Sequence, residues 1–109
     1  MSFRLTITQQ AHADIKRNAD WWANRHSTEQ AIKWANTVYD QIETLRGFPE
    51  SHALSTENDL FSFEIRDKLV GLGSRPSYRA IFTIKGHEVF VLMVRAAQED
   101  GIVPADINQ

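Results

Sequence analysis

From residue 61 to residue 95 the order of apolar and polar positions predicts three consecutive strands. The predicted strands run over 62–72, 77–84 and 88–94, and glycine and proline residues lie between them. Turn residues between consecutive strands predict an antiparallel meander. The last of the three strands is apolar on both faces, which predicts a central strand that is covered on both sides.

The middle strand has two different faces. Its apolar face comprises Tyr78, Ala80, Phe82 and Ile84. The opposite face, called the second face below, comprises Arg79, Ile81, Thr83 and Lys85. Because it carries a cation every few residues, the second face is where we look for function.

Two stretches upstream have apolar residues at helical spacing. The first predicts an amphipathic helix over 9–25, with Thr8 as its N-cap. The second begins after Ser27, which forms a capping-box pattern with Gln30, and it extends to residue 46. Because so few residues separate the two helices, they should form an antiparallel hairpin.

Termination signals follow the second helix. Gly47 is expected to adopt the left-handed conformation after the last turn, Phe48 to fold back onto that turn, and Pro49 to prevent continuation. Residues 50–60 are polar and have no period, which predicts a loop. Residues 98–109 are expected to form a flexible, partly ordered C-terminal tail.

Near the amino terminus Phe3, Leu5 and Ile7 alternate with polar residues and predict a short strand in the same sheet. A chain of 109 residues, 42% of them hydrophobic, can bury a core as one domain, expected here over residues 1–97. The expected fold class is α+β. It consists of an N-terminal strand, an antiparallel helical hairpin and a three-stranded antiparallel meander, with the helices packed on one sheet face.

The composition argues against several classes of protein. The chain has no cysteine, which excludes a disulfide scaffold and cysteine-based zinc or redox sites. The four histidines show no metal-ligand spacing, which argues against a metal site. We also expect no cofactor. The longest apolar run, Val89 to Val94, is far shorter than the roughly 20 residues that cross a bilayer. The amino terminus lacks the apolar core of a secretory signal, and we expect a cytoplasmic protein with no membrane partner.

Charge narrows the possible partners further. A formal net charge of −2 and a pI near 6.0 disfavour a protein that binds nucleic acid through broad phosphate contacts. Between residues 61 and 95, basic residues outnumber acidic ones and give a local charge of +3. An anionic partner would therefore meet a small basic patch and not a strongly attracting surface.

The sequence RDKLVGLGSRPSYRAIFTI at 66–84, followed by VFVLMVR at 89–95, resembles the RelE/ParE toxin superfamily, whose members are also called plasmid stabilisation proteins. Similar residues also occur upstream, at Ala11, Asp14, Ile15 and from Leu45 to Pro49. The resemblance extends over roughly residues 3–97, nearly the whole chain.

This resemblance implies the toxin of a type II toxin-antitoxin module, held inactive by a cognate antitoxin. Members that resemble RelE cut messenger RNA on the ribosome and position its phosphate with basic residues. Members that resemble ParE poison DNA gyrase and have no known hydrolytic site. The expected partners are therefore a cognate antitoxin and either DNA gyrase or the ribosome with its messenger RNA, in a homodimer or a toxin-antitoxin hetero-oligomer.

Three basic residues are candidates for catalysis by this resemblance. Arg79 matches the phosphate-binding arginine of the nuclease branch, Arg95 lies next to the place of its second arginine, and Lys68 is a weak match to its lysines. No tyrosine follows Arg95, and Ala96 stands where many relatives have a histidine. RNA cleavage needs several groups that activate the 2′-hydroxyl, stabilise the pentacoordinate phosphate and protonate the leaving group. The incomplete set favours a gyrase-directed toxin, with a ribosome-dependent endoribonuclease as the alternative.

Further interpretations remain open for the whole chain and for two residues. The chain is also compatible with a degenerate family member that keeps the fold and antitoxin binding but is not toxic. Arg79 is alternatively a structural arginine paired with a carboxylate such as Glu64. Trp21 falls outside the apolar stripe of the first helix, and an exposed tryptophan there would indicate a surface for a partner protein.

Overall fold

The computed structural model describes residues 2–98 and 101–107, and this part of the chain has the α+β fold that the sequence predicts. The helices and strands, in chain order, are β1 (Arg4–Ile7), α1 (Gln9–Arg25), α2 (Thr28–Glu43), β2 (Arg66–Val70), β3 (Tyr78–Lys85) and β4 (Glu88–Ala96). Short 3-10 turns lie at Thr44–Arg46, Pro49–Ser51, Asn58–Leu60 and Pro104–Asp106.

The four strands form one mixed sheet in the order β1-β4-β3-β2. β2, β3 and β4 make the expected antiparallel meander, and β1 pairs with β4 in parallel. Gly86 in the tight turn between β3 and β4 has a φ of +61°, a value that favours glycine. The predicted central position of β4 is confirmed, because it has a neighbouring strand on each side and its residues from Val91 to Val94 are all buried.

Side-chain caps fix the starts of both helices, as the sequence predicts. Thr8 Oγ1 accepts a hydrogen bond from the N–H of Ala11 at 3.2 Å, and Ser27 Oγ accepts one from the N–H of Gln30 at 3.1 Å. Each bond satisfies one of the backbone donors that the first turn of a helix leaves without an intrahelical partner. α1 and α2 pack on each other, and the hairpin lies on the apolar face of the sheet.

The main core lies between the hairpin and the sheet. Trp34, Val38 and Ile42 line one side of α2 and are fully buried against Ala80 and Phe82 of β3. Burying one such large apolar side chain stabilises a fold by about 1.5–3 kcal/mol. The spacing of these residues in the sequence is therefore what places the hairpin on this sheet face.

The end of the second helix differs from the prediction. α2 ends at Glu43 and continues as a 3-10 turn to Arg46, and Gly47 has a φ of −80°, which is not left-handed. The N–H of Gly47 donates to the carbonyl of Thr44 at 3.1 Å, so a 3-10 bond closes the helix end without a left-handed residue. Phe48 does not fold back onto the last turn, since it is 80% exposed.

β2 is shorter than predicted, because it begins at Arg66 and not near residue 62. The N–H of Ile65 donates to Asn58 Oδ1 at 2.9 Å, and the carbonyl of Ile65 accepts from the N–H of Ser55 at 2.8 Å. These bonds hold the preceding segment as a loop. At the other end Gly71 has a φ of +127°, a conformation that L side chains rarely adopt, and the strand stops there.

The second face of the sheet is covered by chain. A smaller core on this face comprises Ile65, Ile81, Leu92, Met93 and Ile102. Ile102 belongs to the predicted tail and is fully buried. Residues 99, 100, 108 and 109 of that tail lie outside the described part of the chain, and the flexibility of the tail stays a prediction.

Asp14 connects α1 to β4 and is buried. Its Oδ2 accepts the backbone N–H of Val94 at 3.0 Å, and its Oδ1 accepts a bond from Arg17 at 3.0 Å. Since β1 ends at Ile7, no strand residue is present to accept the N–H of Val94 on this side of β4. The carboxylate of Asp14 takes that place and satisfies a buried backbone donor.

We expect Asp14→Ala to lower the free energy of unfolding by about 1–3 kcal/mol, the cost of leaving a buried backbone donor without an acceptor. Asp20→Ala is the matched control, because Asp20 is an exposed aspartate of the same helix that pairs with Lys16. Urea unfolding should show an effect within about 0.5 kcal/mol for the control. Equal losses in the two variants would contradict the role given to Asp14.

Candidate functional site

The structure brings Arg79 and Arg95 together on the second face. They are directly paired across β3 and β4, and Arg79 is paired on its other side with Leu69 of β2. Directly paired residues of antiparallel strands lie on the same face with their Cβ atoms close. Two of the three candidates thus occupy one location, as a shared function would require.

Lys68 lies on the other face of the sheet. It is paired with Ala80, which belongs to the core beneath the helices. Its neighbours there include His52 and Arg66, whose guanidinium donates to the carbonyl of His52 at 2.6 Å. Burial first, and then the positive charges of Lys68 and Arg66, lower the pKa of His52. The structure therefore separates Lys68 from the two arginines.

Arg79 is buried in an ion-pair network. Its Nη1 and Nη2 donate to the two carboxylate oxygens of Glu57 at 2.8 and 2.7 Å, a bidentate pairing, and Nη1 also donates to Asp67 Oδ2 at 2.9 Å. The side chains of Arg79 and Glu57 are only 10% and 13% exposed. Charge-assisted pairs of this geometry are among the stronger hydrogen bonds in proteins.

The pairing shifts the pKa of each partner in the direction that favours its charged form. The hydrogen bonds from Arg79 lower the pKa of Glu57 from 4.5 to about 2, and they outweigh burial, which acts in the opposite direction. The hydrogen bonds to Glu57, more than those to Asp67, raise the pKa of Arg79 above its ordinary value. Glu57 and Arg79 are both charged at neutral pH and are fixed on each other.

The same network joins distant parts of the chain. Ser55 donates to Asp67, and the backbone N–H of Ile102 donates to Glu57 Oε2 at 3.3 Å. The loop before β2, the strands β2 and β3, and the C-terminal segment therefore meet at the Arg79 guanidinium. We call Arg79, Glu57, Asp67 and Ser55 the Arg79 network.

Arg95 is neutralised less tightly than Arg79. Its Nη2 lies 4.0 Å from Asp106 Oδ2, its side chain is 22% exposed, and its buried Nε has no hydrogen-bond partner in residues 2–98 and 101–107. Arg95 lines an open depression of about 530 Å³ together with Arg17, Asp14 and Asp106. Each arginine of this depression thus has a carboxylate beside it.

This arrangement determines what the two arginines can do chemically. A guanidinium that stabilises a phosphate in a reaction must be able to direct its donors at that phosphate. Both terminal nitrogens of Arg79 are already bonded to carboxylates, and Arg95 faces Asp106. In residues 2–98 and 101–107, no group of three histidine, cysteine, aspartate or glutamate side chains could hold a metal ion. The catalytic roles of Arg79, Arg95 and Lys68 stay predictions.

A family model of the ParE toxin of type II toxin-antitoxin systems, parDE, matches residues 5–101. The chain belongs to this family. The resemblance to the RelE/ParE superfamily is thereby confirmed, and this family member is a toxin of the type II toxin-antitoxin class.

A comparison with solved structures found a protein of similar fold. The chain is similar to a solved structure titled as the chromosomal ParDE TA system from P. aeruginosa, with a TM-score of 0.73 and 20% sequence identity. The similarity covers 89% of this chain and 98% of that one, and at this identity it shows the fold alone. No curated protein matches the sequence. Across the described residues of this ParE family member, no helix is long and apolar enough to cross a membrane.

Sequence reasoning missed the residues that hold Arg79. It considered Glu64 as a partner, but Glu64 lies 3.6 Å from Arg66, and Glu57 and Asp67 bind Arg79 instead. Asp67 has a detectable signal, because it lies in β2 two residues from Leu69, the residue paired with Arg79, and therefore on the same face of the sheet. Glu57 has none, since it stands in a loop without a period.

We expect the pH dependence of stability to report on Glu57. Because the folded-state pKa of Glu57 lies below its ordinary value, the unfolded chain binds the proton first as the pH falls. Its contribution, about 3 kcal/mol, is complete above about pH 5 and is lost between about pH 5 and pH 2. Urea unfolding at several pH values should therefore show wild type losing more stability over this interval than Glu57→Gln.

Glu50→Gln is the control, because Glu50 is an exposed glutamate of the preceding segment. It should reproduce the wild-type pH dependence. A Glu57→Gln variant with the wild-type slope between pH 5 and pH 2 would mean that the pairing with Arg79 does not stabilise the fold.

Proposed function

We propose that this ParE family member is a toxin that acts by binding DNA gyrase and that a cognate antitoxin neutralises it. The observation that carries the proposal is that Arg79 is held by two carboxylates of the same chain, Glu57 and Asp67, and that Asp106 lies 4.0 Å from Arg95. A toxin that poisons an enzyme by contact needs no phosphate-binding arginine. A nuclease of the RelE type depends on one.

The cost of freeing Arg79 supports this choice. A phosphate could bind Arg79 only if Glu57 and Asp67 gave up their hydrogen bonds, which would leave two carboxylates in a largely buried place. Removing one partner from a buried ion pair typically costs about 3–5 kcal/mol. RNA binding would have to supply that free energy before any catalysis began.

The helical hairpin offers a surface suited to a protein target. Trp21 is 45% exposed and the guanidinium of Arg25 lies 5.2 Å from the centre of its ring. Ile32, near the start of the second helix of the same hairpin, is 56% exposed. Tryptophan and arginine are the residue types most enriched among those that dominate binding energy at protein interfaces. We assign gyrase contact to this end of the hairpin.

The remaining partners follow from this function. The toxin acts in the cytoplasm, where gyrase works on the chromosome, and its antitoxin binds it there. A toxin-antitoxin hetero-oligomer is the inactive form of the module.

The test is a supercoiling and DNA-cleavage assay with purified gyrase and the full chain. We expect the wild-type chain to inhibit supercoiling or to accumulate cleaved DNA. Trp21→Ala should weaken this effect about tenfold or more, since truncating a central interface residue often costs over 2 kcal/mol. Adding the cognate antitoxin should restore supercoiling.

Leu60→Ala is the matched control, because Leu60 is an exposed apolar residue of the loop before β2. It should inhibit gyrase as the wild type does. A wild-type chain that leaves supercoiling and cleavage unchanged would contradict the gyrase target. Codon-phased cuts in translated messages after induction would instead establish the endoribonuclease.

A further inference from the structure

A half-open cavity of about 380 Å³ lies on the second face of the sheet. Its floor is formed by Thr83 of β3 and by Phe90 and Leu92 of β4, and Phe63 of the loop before β2 stands beside them. The start of α1 and Ile107 of the C-terminal segment complete the lining. The volume falls in the range of small-molecule sites, which are mostly apolar with a few polar groups.

One basic residue, Lys85, lines this cavity. The ammonium group of Lys85 lies 6.0 Å from the centre of the Phe63 ring and 5.9 Å from that of Phe90, within reach of a cation-π interaction with each. Lys85 forms no ion pair with any residue in 2–98 and 101–107. Glu88, its cross-strand neighbour, instead accepts a bond from the Thr6 hydroxyl at 2.6 Å and lies near Arg4.

Within the described residues 2–98 and 101–107, no acidic side chain lines the cavity beside Lys85. The first turn of α1, which contributes to the lining, also carries no acidic side chain, and the positive end of the helix dipole lies there. The cavity therefore combines aromatic and aliphatic walls with one basic side chain, Lys85, and no acidic side chain among its lining residues.

We propose that this cavity binds a small free carboxylate that carries one aromatic ring. The ring packs against Phe63, Phe90 and Leu92, and the carboxylate pairs with the ammonium of Lys85. The ligand needs both its charge and its ring. A neutral aromatic compound could not form the ion pair with Lys85, and a short carboxylate without a ring could not make the apolar contacts. The site is independent of the proposed action on gyrase, because it uses neither Trp21 nor Arg25.

The probe is 3-phenylpropionate, titrated into the full chain labelled with ¹⁵N and followed by amide chemical shifts. Saturable shifts are expected at the amides of Thr83, Phe90 and Leu92. Two comparison ligands separate the contributions, 3-phenylpropanol without the charge and acetate without the ring. Both should bind at least about tenfold more weakly, as expected for loss of a charged pair or of the apolar contact.

Lys85→Met should weaken binding of 3-phenylpropionate about tenfold and leave binding of 3-phenylpropanol unchanged. Lys33→Met is the control, because Lys33 is an exposed lysine on α2, which packs on the opposite face of the sheet. Absence of saturable shifts, equal binding of the acid and the alcohol, or an unaffected Lys85→Met variant would overturn the proposal. Tighter Lys85-dependent binding of the peptide acetyl-Phe-Glu-amide would also overturn it, in favour of a protein segment as the occupant.

Discussion

The Arg79 network is the interaction on which the second face of this fold depends. A guanidinium on an inner strand cannot remain buried without compensation, because an unpaired buried charge is far too costly. Glu57 and Asp67 compensate it from two different segments, and Glu57 in addition accepts the backbone N–H of Ile102. The irregular loop before β2 and the C-terminal segment are thereby held against the sheet, where Ile65 and Ile102 complete the smaller core.

The network also explains how the sheet tolerates two arginines in direct opposition. Like charges paired across antiparallel strands are destabilising. Here Arg79 is bonded to two carboxylates and Arg95 faces a third, Asp106, so each positive charge is compensated locally. The same compensation limits the chemistry of Arg79, because both of its terminal nitrogens are already bonded to carboxylates. Function in a shared fold resides in such local arrangements and not in the fold itself.

The sequence predicted most of the framework because periodicity and capping are local signals. Thr8 and Ser27 cap the helices as expected, and the apolar faces of α2 and β3 form the main core. Local sequence patterns did not predict the parts of the structure that depend on contacts between residues distant in the sequence. Asn58 and Ser55 convert the predicted start of β2 into a loop, and Gly47 is not left-handed because a 3-10 turn closes the helix. For the candidate site, the sequence named Arg79 and Arg95 as candidates, but their direct pairing depends on the strand register and the choice of Glu57 as partner of Arg79 depends on the folded loop.

The most direct test of the account is growth arrest on controlled expression of the triple variant Arg79→Met, Glu57→Gln, Asp67→Asn. Removing all charges of the network together leaves no uncompensated buried charge, so this variant should still fold, although less stably than wild type, and urea unfolding of the purified protein verifies this. We expect growth arrest equal to that of wild type, relieved by the cognate antitoxin, because Arg79 serves the fold and not a phosphate. A folded triple variant that no longer arrests growth would contradict it and assign Arg79 to the toxic reaction.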